Sequence, residues 1–259
     1  MLGAIAGDIF GAAFEGQPLK KEDFDLFGEG HWFTDDTVLT VATADALMGD
    51  GDYAAAYHRW GNRYPRAGYG GMFIHWLGLD HRMPYNSFGN GSAMRVSPVA
   101  WALDTLDEVL AEAARSAAVT HDHPEGIKGA QAVAAAVFLA RTGADKATIR
   151  AEISGRFAYD LDRTIAAIRP HYSFDVTCQG SVPESIIAFL ESDDFEHALR
   201  LAISLGGDAD TQACMAGAIA EPFHGLPPHI DQEVRLRLEY PLLEVVDRFV
   251  AEYSIARNG

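Results

Sequence analysis

Residues 104–116, DTLDEVLAEAARS, decide the fold class. They place Leu106, Val109, Leu110 and Ala113 on one helical face and acidic residues on the other. The same 3.6-residue periodicity returns along the chain and predicts helices over residues 38–48, 125–141, 145–157, 182–191, 194–205, 208–219 and 232–253. Alternating patterns typical of strands are scarce. The sequence therefore predicts a compact all-α protein in which many helices cross at large angles.

Composition indicates an ordinary globular protein. The chain has 259 residues, of which 48% are hydrophobic and 22% charged, and no linker or repeat interrupts it. We therefore expect residues 1–259 to form one domain. The longest apolar run, residues 132–140, is too short to cross a membrane, and the start carries no basic segment of the secretory type. We expect a cytoplasmic protein with no membrane partner.

Charge and cysteine content exclude several function classes. The 20 Lys and Arg residues against 37 Asp and Glu residues give a net charge of −17, which disfavours an extended nucleic-acid footprint. The two cysteines, Cys178 and Cys214, lack the spacing of a zinc site or a disulfide scaffold. The motifs of serine-nucleophile hydrolases, P-loop ATPases, dinucleotide-binding proteins and zinc proteases are absent from the sequence.

Two helix starts carry the same oxygen-rich pattern. Residues 34–37 read Thr-Asp-Asp-Thr and residues 206–211 read Gly-Gly-Asp-Ala-Asp-Thr, each ahead of an apolar helix. Each could simply cap its helix, because Asp and Thr accept hydrogen bonds from free backbone N–H groups. One cap needs only one side chain, however. Hard oxygen ligands in this number suit Mg²⁺, Mn²⁺ or Ca²⁺, and two such ions would offset the repulsion among four carboxylates.

The first helix has two interpretations. Gly3, Gly7 and Gly11 share one helical face, which permits close helix packing. Asp8 and Glu15 lie seven residues apart, and this spacing would direct Glu15 from the helix end toward the metals.

Two further segments, 68–92 and 169–181, read as irregular and polar, which is typical of functional loops. Gly89-Asn90-Gly91-Ser92 either offers backbone N–H groups to an anion or forms a plain turn. His121 and His123 are polar loop residues rather than metal ligands, and ligand contact by His121 stays open. The aromatic residues of the first segment either contact a bound ligand or pack the loop; these are Tyr69, Phe73, Trp76, Tyr85 and Phe88.

The ordered set of motifs resembles the ADP-ribosylglycohydrolase family, which includes the dinitrogenase reductase-activating glycohydrolases. The motifs are Gly7-Asp8-x-x-Gly11, Thr34-Asp35-Asp36-Thr37, Gly89-Asn90-Gly91-Ser92-x-Met94-Arg95, Thr120-His121 and Gly206-Gly207-Asp208-x-Asp210-Thr211. They span nearly the whole chain. The resemblance implies a compact all-helical fold with a binuclear Mg²⁺ or Mn²⁺ centre, and an enzyme that releases ADP-ribose from a modified acceptor.

The resemblance also implies roles by position. The metal ligands would be Thr34, Asp35, Asp36, Asp208, Asp210 and Thr211, with Asp210 bridging the two ions. Substrate would be bound by Asn90, Gly91, Ser92, Met94 and His121. Glu15 matches an acid that lies over the metals on a mobile loop in the serine-linkage subgroup. This acid also occurs in bacterial relatives of mixed preference, so it does not identify the acceptor.

Our hypothesis is metal-assisted hydrolysis of the anomeric C1″ bond. The catalytic residues would be Glu15, Asp35, Asp36 and Asp210, with Asp35 or Asp36 accepting a proton and Glu15 acting as acid or gate. The alternative is a non-catalytic ADP-ribose-binding or structural protein on the same scaffold. The acceptor stays open among arginine, serine, a nucleic-acid base and a small metabolite such as O-acetyl-ADP-ribose.

Overall fold

The computed structural model describes residues 1–28 and 30–253, in which every regular element is a helix. The helices are α1 (Leu2–Gly11), α2 (Asp35–Met48), α3 (Tyr53–Arg63), α4 (Gly71–Leu77), α5 (Gly91–Met94), α6 (Ser97–Ala102), α7 (Leu106–Ala118), α8 (Pro124–Arg141), α9 (Lys146–Phe157), α10 (Ile165–Ile168), α11 (Cys178–Glu191), α12 (Phe195–Ile203), α13 (Ala209–His224), α14 (Pro228–Arg237) and α15 (Tyr240–Tyr253). A 3₁₀ turn, Ala12–Phe14, follows α1. The predicted all-α class is confirmed.

Helices α1 and α13 pack backbone against backbone at the centre of the fold. A Cβ atom built on Gly7 would lie 2.0 Å from the carbonyl oxygen of Ala213, and one on Gly3 would lie 2.4 Å from that of Gly217. Gly11 is equally close to α13. No side chain fits at such distances, so the predicted role of the glycine stripe in close packing is confirmed.

The remaining core is built around helices that are buried on several sides. Helix α8 buries an alanine-rich stretch and packs against α7 and α6 as well as α11 and α13. A helix that is apolar nearly all round belongs in the interior. Outer helices are amphipathic; α7, for example, buries Val109 and Ala113 on one face. Its start is stabilised by a reciprocal capping box between Thr105 and Glu108. Among the described residues, none of the helices is both long and apolar enough to cross a membrane.

The predicted helix over residues 232–253 is wrong as a single element. The chain forms α14 and α15 instead, with Leu238 in an extended conformation between them. Pro241 explains the break, because it lacks the N–H that would bond to the carbonyl of Arg237 and its ring would clash with that carbonyl.

The two segments predicted to be irregular also contain helices. Residues 68–92 include α4 and the start of α5, and α11 begins inside residues 169–181. Thr177 starts α11 by accepting a hydrogen bond from the N–H of Gly180. Helix α3 was not predicted; Asp52 caps it through the N–H of Ala55. Capping residues therefore indicate where these helices start, whereas the loop-like composition around them does not.

Candidate active site

A cavity of about 390 Å³ opens where the first turns of α2, α5 and α13 meet. This volume is in the usual range for small-molecule sites. All but one of the predicted site residues line it: Glu15, Thr34, Asp35, Asp36, Asn90, Gly91, Met94, His121, Asp208, Asp210 and Thr211. The exception is Ser92, which is fully buried and donates its hydroxyl to the carbonyl of Gly126 at 2.8 Å.

Carboxyl groups from separate elements converge on the cavity floor. Oxygen atoms of Asp8, Asp36 and Asp210 lie within 4.8 Å of one another, and so do oxygen atoms of Glu15, Asp208 and Asp210. Asp210 therefore belongs to both groups. The 3₁₀ turn after α1 brings Glu15, which is exposed, to the rim of this cluster.

Asp8 was not assigned a role from the sequence, although it belongs to the cluster together with Asp36 and Asp210. It is fully buried and accepts hydrogen bonds from the backbone N–H of Thr34 at 2.9 Å and its hydroxyl at 2.6 Å. The N–H of Thr37, at 3.0 Å, and its hydroxyl also donate to Asp8. Because four donors occupy its oxygens, Asp8 holds the start of α2 in place. Its signal was a carboxylate inside the otherwise apolar helix α1.

The two acidic helix starts differ in how they cap. The hydroxyl of Thr34 accepts a hydrogen bond from the N–H of Asp36, so the capping interpretation holds there. Asp208 stands at the N-cap of α13 but makes no such bond with its side chain. Its carboxylate instead accepts from the amide of Asn90 at 2.7 Å. Capping alone therefore does not explain Asp208.

Helices α2 and α13 are joined directly across the floor. The hydroxyl of Thr211 donates to Asp36 Oδ2 at 3.1 Å, and the N–H of Thr211 donates to Asp210 Oδ1 at 2.8 Å. The other oxygen of Asp36, Oδ1, is buried and has no hydrogen-bond partner. That atom is free to bind a ligand in the cavity.

Burial raises the pKa of every carboxyl group in the cluster, and repulsion by neighbouring carboxylates adds to this effect at Asp35, Asp36 and Asp210. Burial, then the charge of Asp210, raises the pKa of Asp36 well above its usual range, and burial with Asp208 does the same for Asp210. Burial and Asp8 raise the pKa of Asp35 to about 8. Divalent cations would relieve both effects. The unpartnered oxygen and the hard donor set therefore fit such ions.

The other end of the cavity combines a glycine-rich loop with His121. The loop is pinned by the N–H of Asn90, which donates to the carbonyl of Val176 at 2.8 Å. His121 Nε2 would lie 3.2 Å from a Cβ atom on Gly91, so its ring faces the loop. His123 caps α8 by accepting from the N–H of Glu125.

The aromatic residues of segment 68–92 divide between packing and the cavity. Tyr69, Phe73 and Trp76 are buried and in ring contact, although Phe73 also reaches the cavity wall. Tyr85 lines the cavity, whereas Phe88 contacts His123. Three exposed apolar residues that line the cavity were missed, because the polar composition around them indicated only loops; these are Met72, Phe174 and Val176.

The sequence motifs implied a protein with an all-helical fold and clustered carboxylates. The structure has both of these features, and the carboxylates lie on the floor of a cavity. The family model described as ADP-ribosylglycohydrolase matches residues 1–258, and the chain belongs to this family.

Individual relatives agree with the family. ADP-ribosylarginine hydrolase Tri1 of Pseudomonas putida (strain GB-1) is 27% identical, over 90% of this chain and 72% of its own. ADP-ribosylhydrolase ARH3 of Danio rerio is 27% identical, over 87% of this chain and 82% of its own. A solved structure named ADP-ribosylglycohydrolase-related protein complex matches with a TM-score of 0.75 and 25% identity, over 98% of this chain and 96% of that chain.

Proposed function

We propose that this protein is a metal-dependent hydrolase that cleaves the anomeric C1″ bond of ADP-ribosyl conjugates and releases ADP-ribose. The observation that carries the proposal is the convergence of Glu15, Asp36, Asp208 and Asp210 on one cavity floor. The names of the relatives, an ADP-ribosylarginine hydrolase and an ADP-ribosylhydrolase, support the same reaction class.

Two Mg²⁺ or Mn²⁺ ions would be held by Thr34, Asp35, Asp36, Asp208, Asp210 and Thr211. Asp210 is suited to a shared ligand, because it lies within 4.8 Å of both Asp36 and Asp208. When bound, such ions supply positive charge that keeps the carboxylates ionised and polarises substrate oxygens and water. Asp8 would support the site from behind by fixing Thr34.

The proton-transfer roles follow from exposure. Asp35 is partly open to the cavity, whereas Asp36 is buried and already accepts a hydrogen bond from Thr211. Asp35 is therefore better placed to accept a proton from an attacking water, provided that bound cations keep its carboxylate ionised, because without them its pKa is about 8. Glu15 is exposed at the rim, and burial together with the charges of Asp208 and Asp8 raises its pKa. A raised pKa favours a proton donor to the leaving group.

The rest of the cavity suits the ADP-ribose moiety. The backbone N–H group of Gly91 would face the diphosphate, since glycine-rich loops bind anions, whereas those of Gly89 and Asn90 already donate to Ser87 and Val176. Phe174, Val176 and Tyr85 also line the cavity and would supply apolar contacts to the adenine ring. Carboxylates near C1″ would stabilise the positive charge that develops there as the bond breaks.

The decisive experiment incubates the protein and Mg²⁺ with defined ADP-ribosyl linkages to arginine, serine, thymidine, guanosine and acetate, and measures released ADP-ribose. We expect turnover on at least one linkage, abolished by a chelator and by Asp36→Ala or Asp210→Ala. Undiminished activity in these variants without metal would contradict the proposal. Binding of ADP-ribose without turnover on any linkage would instead support a non-catalytic ADP-ribose-binding protein.

A further inference from the structure

A chain of buried hydrogen bonds lies behind His121. Arg95 Nη2 donates to Thr120 Oγ1 at 2.8 Å, and Thr120 Oγ1 lies 2.8 Å from His121 Nδ1. Arg95 is 1% exposed, Thr120 0% and His121 5%. Neither Arg95 nor Thr120 was given a role above, yet together they surround the one histidine that faces the glycine-rich loop.

We propose that Arg95 and Thr120 are positioning residues that hold His121 as a neutral imidazole with its proton on Nε2, so that the ring presents a fixed N–H donor to an oxygen atom of the ligand. The identity of that ligand rests on the proposed function. The protonation pattern of the ring does not, and it can be tested without any substrate.

The first step concerns the hydroxyl of Thr120. A guanidinium only donates, so Arg95 occupies one acceptor site of Thr120 Oγ1 and leaves its proton free to point away from the cation. His121 Nδ1 is one acceptor within reach of that proton, and the Tyr85 hydroxyl, which is also hydrogen-bonded to Thr120, is another. In the reverse arrangement, an Nδ1–H group would direct the positive end of the imidazole dipole toward the guanidinium. The electrostatic energy therefore favours a bare Nδ1 and a proton on Nε2.

The second step concerns the charge of the ring. Burial and the nearby charge of Arg95 hold the pKa of His121 well below its ordinary value. Tyr85 also faces Thr120, and its ring centroid lies 5.9 Å from that of His121. Burial raises the pKa of Tyr85 to about 12, so this phenol keeps its proton and brings no negative charge to stabilise an imidazolium. His121 is therefore neutral at neutral pH.

The third step concerns the direction of Nε2. A Cβ atom on Gly91 would lie 3.2 Å from Nε2, and one on Gly89 would lie 3.6 Å away. Both glycines line the cavity. The N–H group therefore points across the loop into the space that a ligand would enter.

The last step concerns Arg95 itself. Its guanidinium carbon lies 4.0 Å from the centroid of the Tyr57 ring, and the Tyr57 hydroxyl is hydrogen-bonded to Thr43 Oγ1 at 3.1 Å. Stacking on a tethered ring fixes the plane of the guanidinium and hence the direction of Nη2. A lysine would keep the charge but lose this geometry.

The test is nuclear magnetic resonance of the imidazole nitrogens in ¹⁵N-labelled protein at about pH 7. The His121 signals are identified by their loss in His121→Asn. We expect a pyridine-like Nδ1 and a pyrrole-like Nε2 in the unaltered protein. A protonated Nδ1, or an imidazolium, overturns the proposal without the need for any further variant.

Variants then test the two positioning residues. Thr120→Val keeps the shape of the side chain and removes the hydroxyl, so we expect a mixture of His121 tautomers and about fivefold to tenfold weaker ADP-ribose binding by calorimetry. Thr120→Ser should restore both. Arg95→Lys should shift the tautomer balance less than Thr120→Val. The signals of His123 serve as an internal control and should stay unchanged.

Two outcomes separate this proposal from the proposed function. If the His121 nitrogen spectrum is unchanged in folded Thr120→Val, Thr120 does not position His121 and the proposal is overturned, even if the protein hydrolyses its substrate normally. Conversely, if the unaltered protein binds no ADP-ribose, the proposed function fails. The nitrogen spectra still show whether Arg95 and Thr120 fix the tautomer of His121.

Discussion

The carboxylate of Asp8 accepts hydrogen bonds from both the backbone N–H and the hydroxyl of Thr37, a residue in the first turn of the next long helix. Since the same carboxylate also binds the N–H and hydroxyl of Thr34, one side chain of α1 fixes the whole first turn of α2. The acidic pair Asp35 and Asp36 is therefore directed into the cavity by a third carboxylate.

Asp8→Asn should destabilise the fold. An asparagine amide would place its own N–H groups against donors, so buried donors would lose their acceptors, and we expect a loss of about 3 kcal/mol in the free energy of unfolding. Urea denaturation in the presence of a chelator measures it. Asp36→Asn is the matched control and should change stability by less than about 1 kcal/mol, because it also removes repulsion. Equal losses of unfolding free energy in the two variants would contradict the role of Asp8 in holding the start of α2.

Divalent ions should stabilise the protein through Asp210. A ligand at a hundredfold excess over its Kd adds about 2.7 kcal/mol to the free energy of unfolding, so Mg²⁺ or Mn²⁺ should raise the melting temperature. Asp210→Ala should abolish this rise. Asp160→Asn removes an exposed carboxylate that does not line the cavity, so this variant should retain the rise in melting temperature. A rise of the same size in all three proteins would indicate non-specific ion binding.

The metal-free protein should lose stability as the pH rises. The folded-state pKa of Asp35 is about 8, against an ordinary value of 3.8, so the folded chain binds this proton more tightly than the unfolded chain. Its contribution is complete below about pH 4 and is lost as the pH rises toward about 8. Urea titrations of chelated protein across this range should show the loss.

Asp35→Asn supplies the comparison for that titration. The variant lacks the titrating group, so its stability should depend less steeply on pH than that of the unaltered protein. His121 acts in the opposite direction, since its lowered pKa costs stability as the pH falls, but it is present in both proteins and cancels in the difference. Parallel curves for the two proteins would refute the interpretation.

Gly7→Ala should be among the most damaging small substitutions. Its Cβ atom would overlap the carbonyl oxygen of Ala213, which belongs to a backbone that cannot move without separating α1 from α13. We expect a loss of about 3 kcal/mol in the free energy of unfolding. Gly155→Ala, in an exposed position of α9 with open space around it, should instead stabilise the protein by about 0.5–1 kcal/mol. Chemical denaturation of both variants decides this.

Periodicity was sufficient for the fold class, because helical faces are local. Helix α8 begins at Pro124 and ends at Arg141, almost as predicted, since a capping residue precedes it and Gly143 follows. The break before α15 could also have been predicted from Pro241. Helix α3 could have been found from periodicity as well, because its buried residues Tyr53, Ala56, Tyr57 and Trp60 follow the i, i+3, i+4, i+7 spacing. That residues 1–259 form one domain in the cytoplasm stays a prediction.

The candidate site was predictable where its residues are neighbours in sequence. The pairs around Asp36 and Asp210 are visible as local excesses of oxygen ligands. The roles of Asp8 and Arg95 are not visible as a local sequence pattern, because they depend on partners that the fold brings from other parts of the chain. Ser92 shows the reverse case: its motif predicts a ligand contact, which stays untested, while its hydroxyl faces helix α8.

The backbone contact between α1 and α13 has a consequence for biosynthesis. The two helices stand near opposite ends of the chain, so α1 leaves the ribosome long before its partner exists. Until then α2, the next helix in the sequence, can cover only part of its apolar surface, and nascent segments with exposed apolar surface are targets for chaperones. The acidic floor also cannot be complete before α13 is synthesised, because Asp208 and Asp210 lie at the start of that helix.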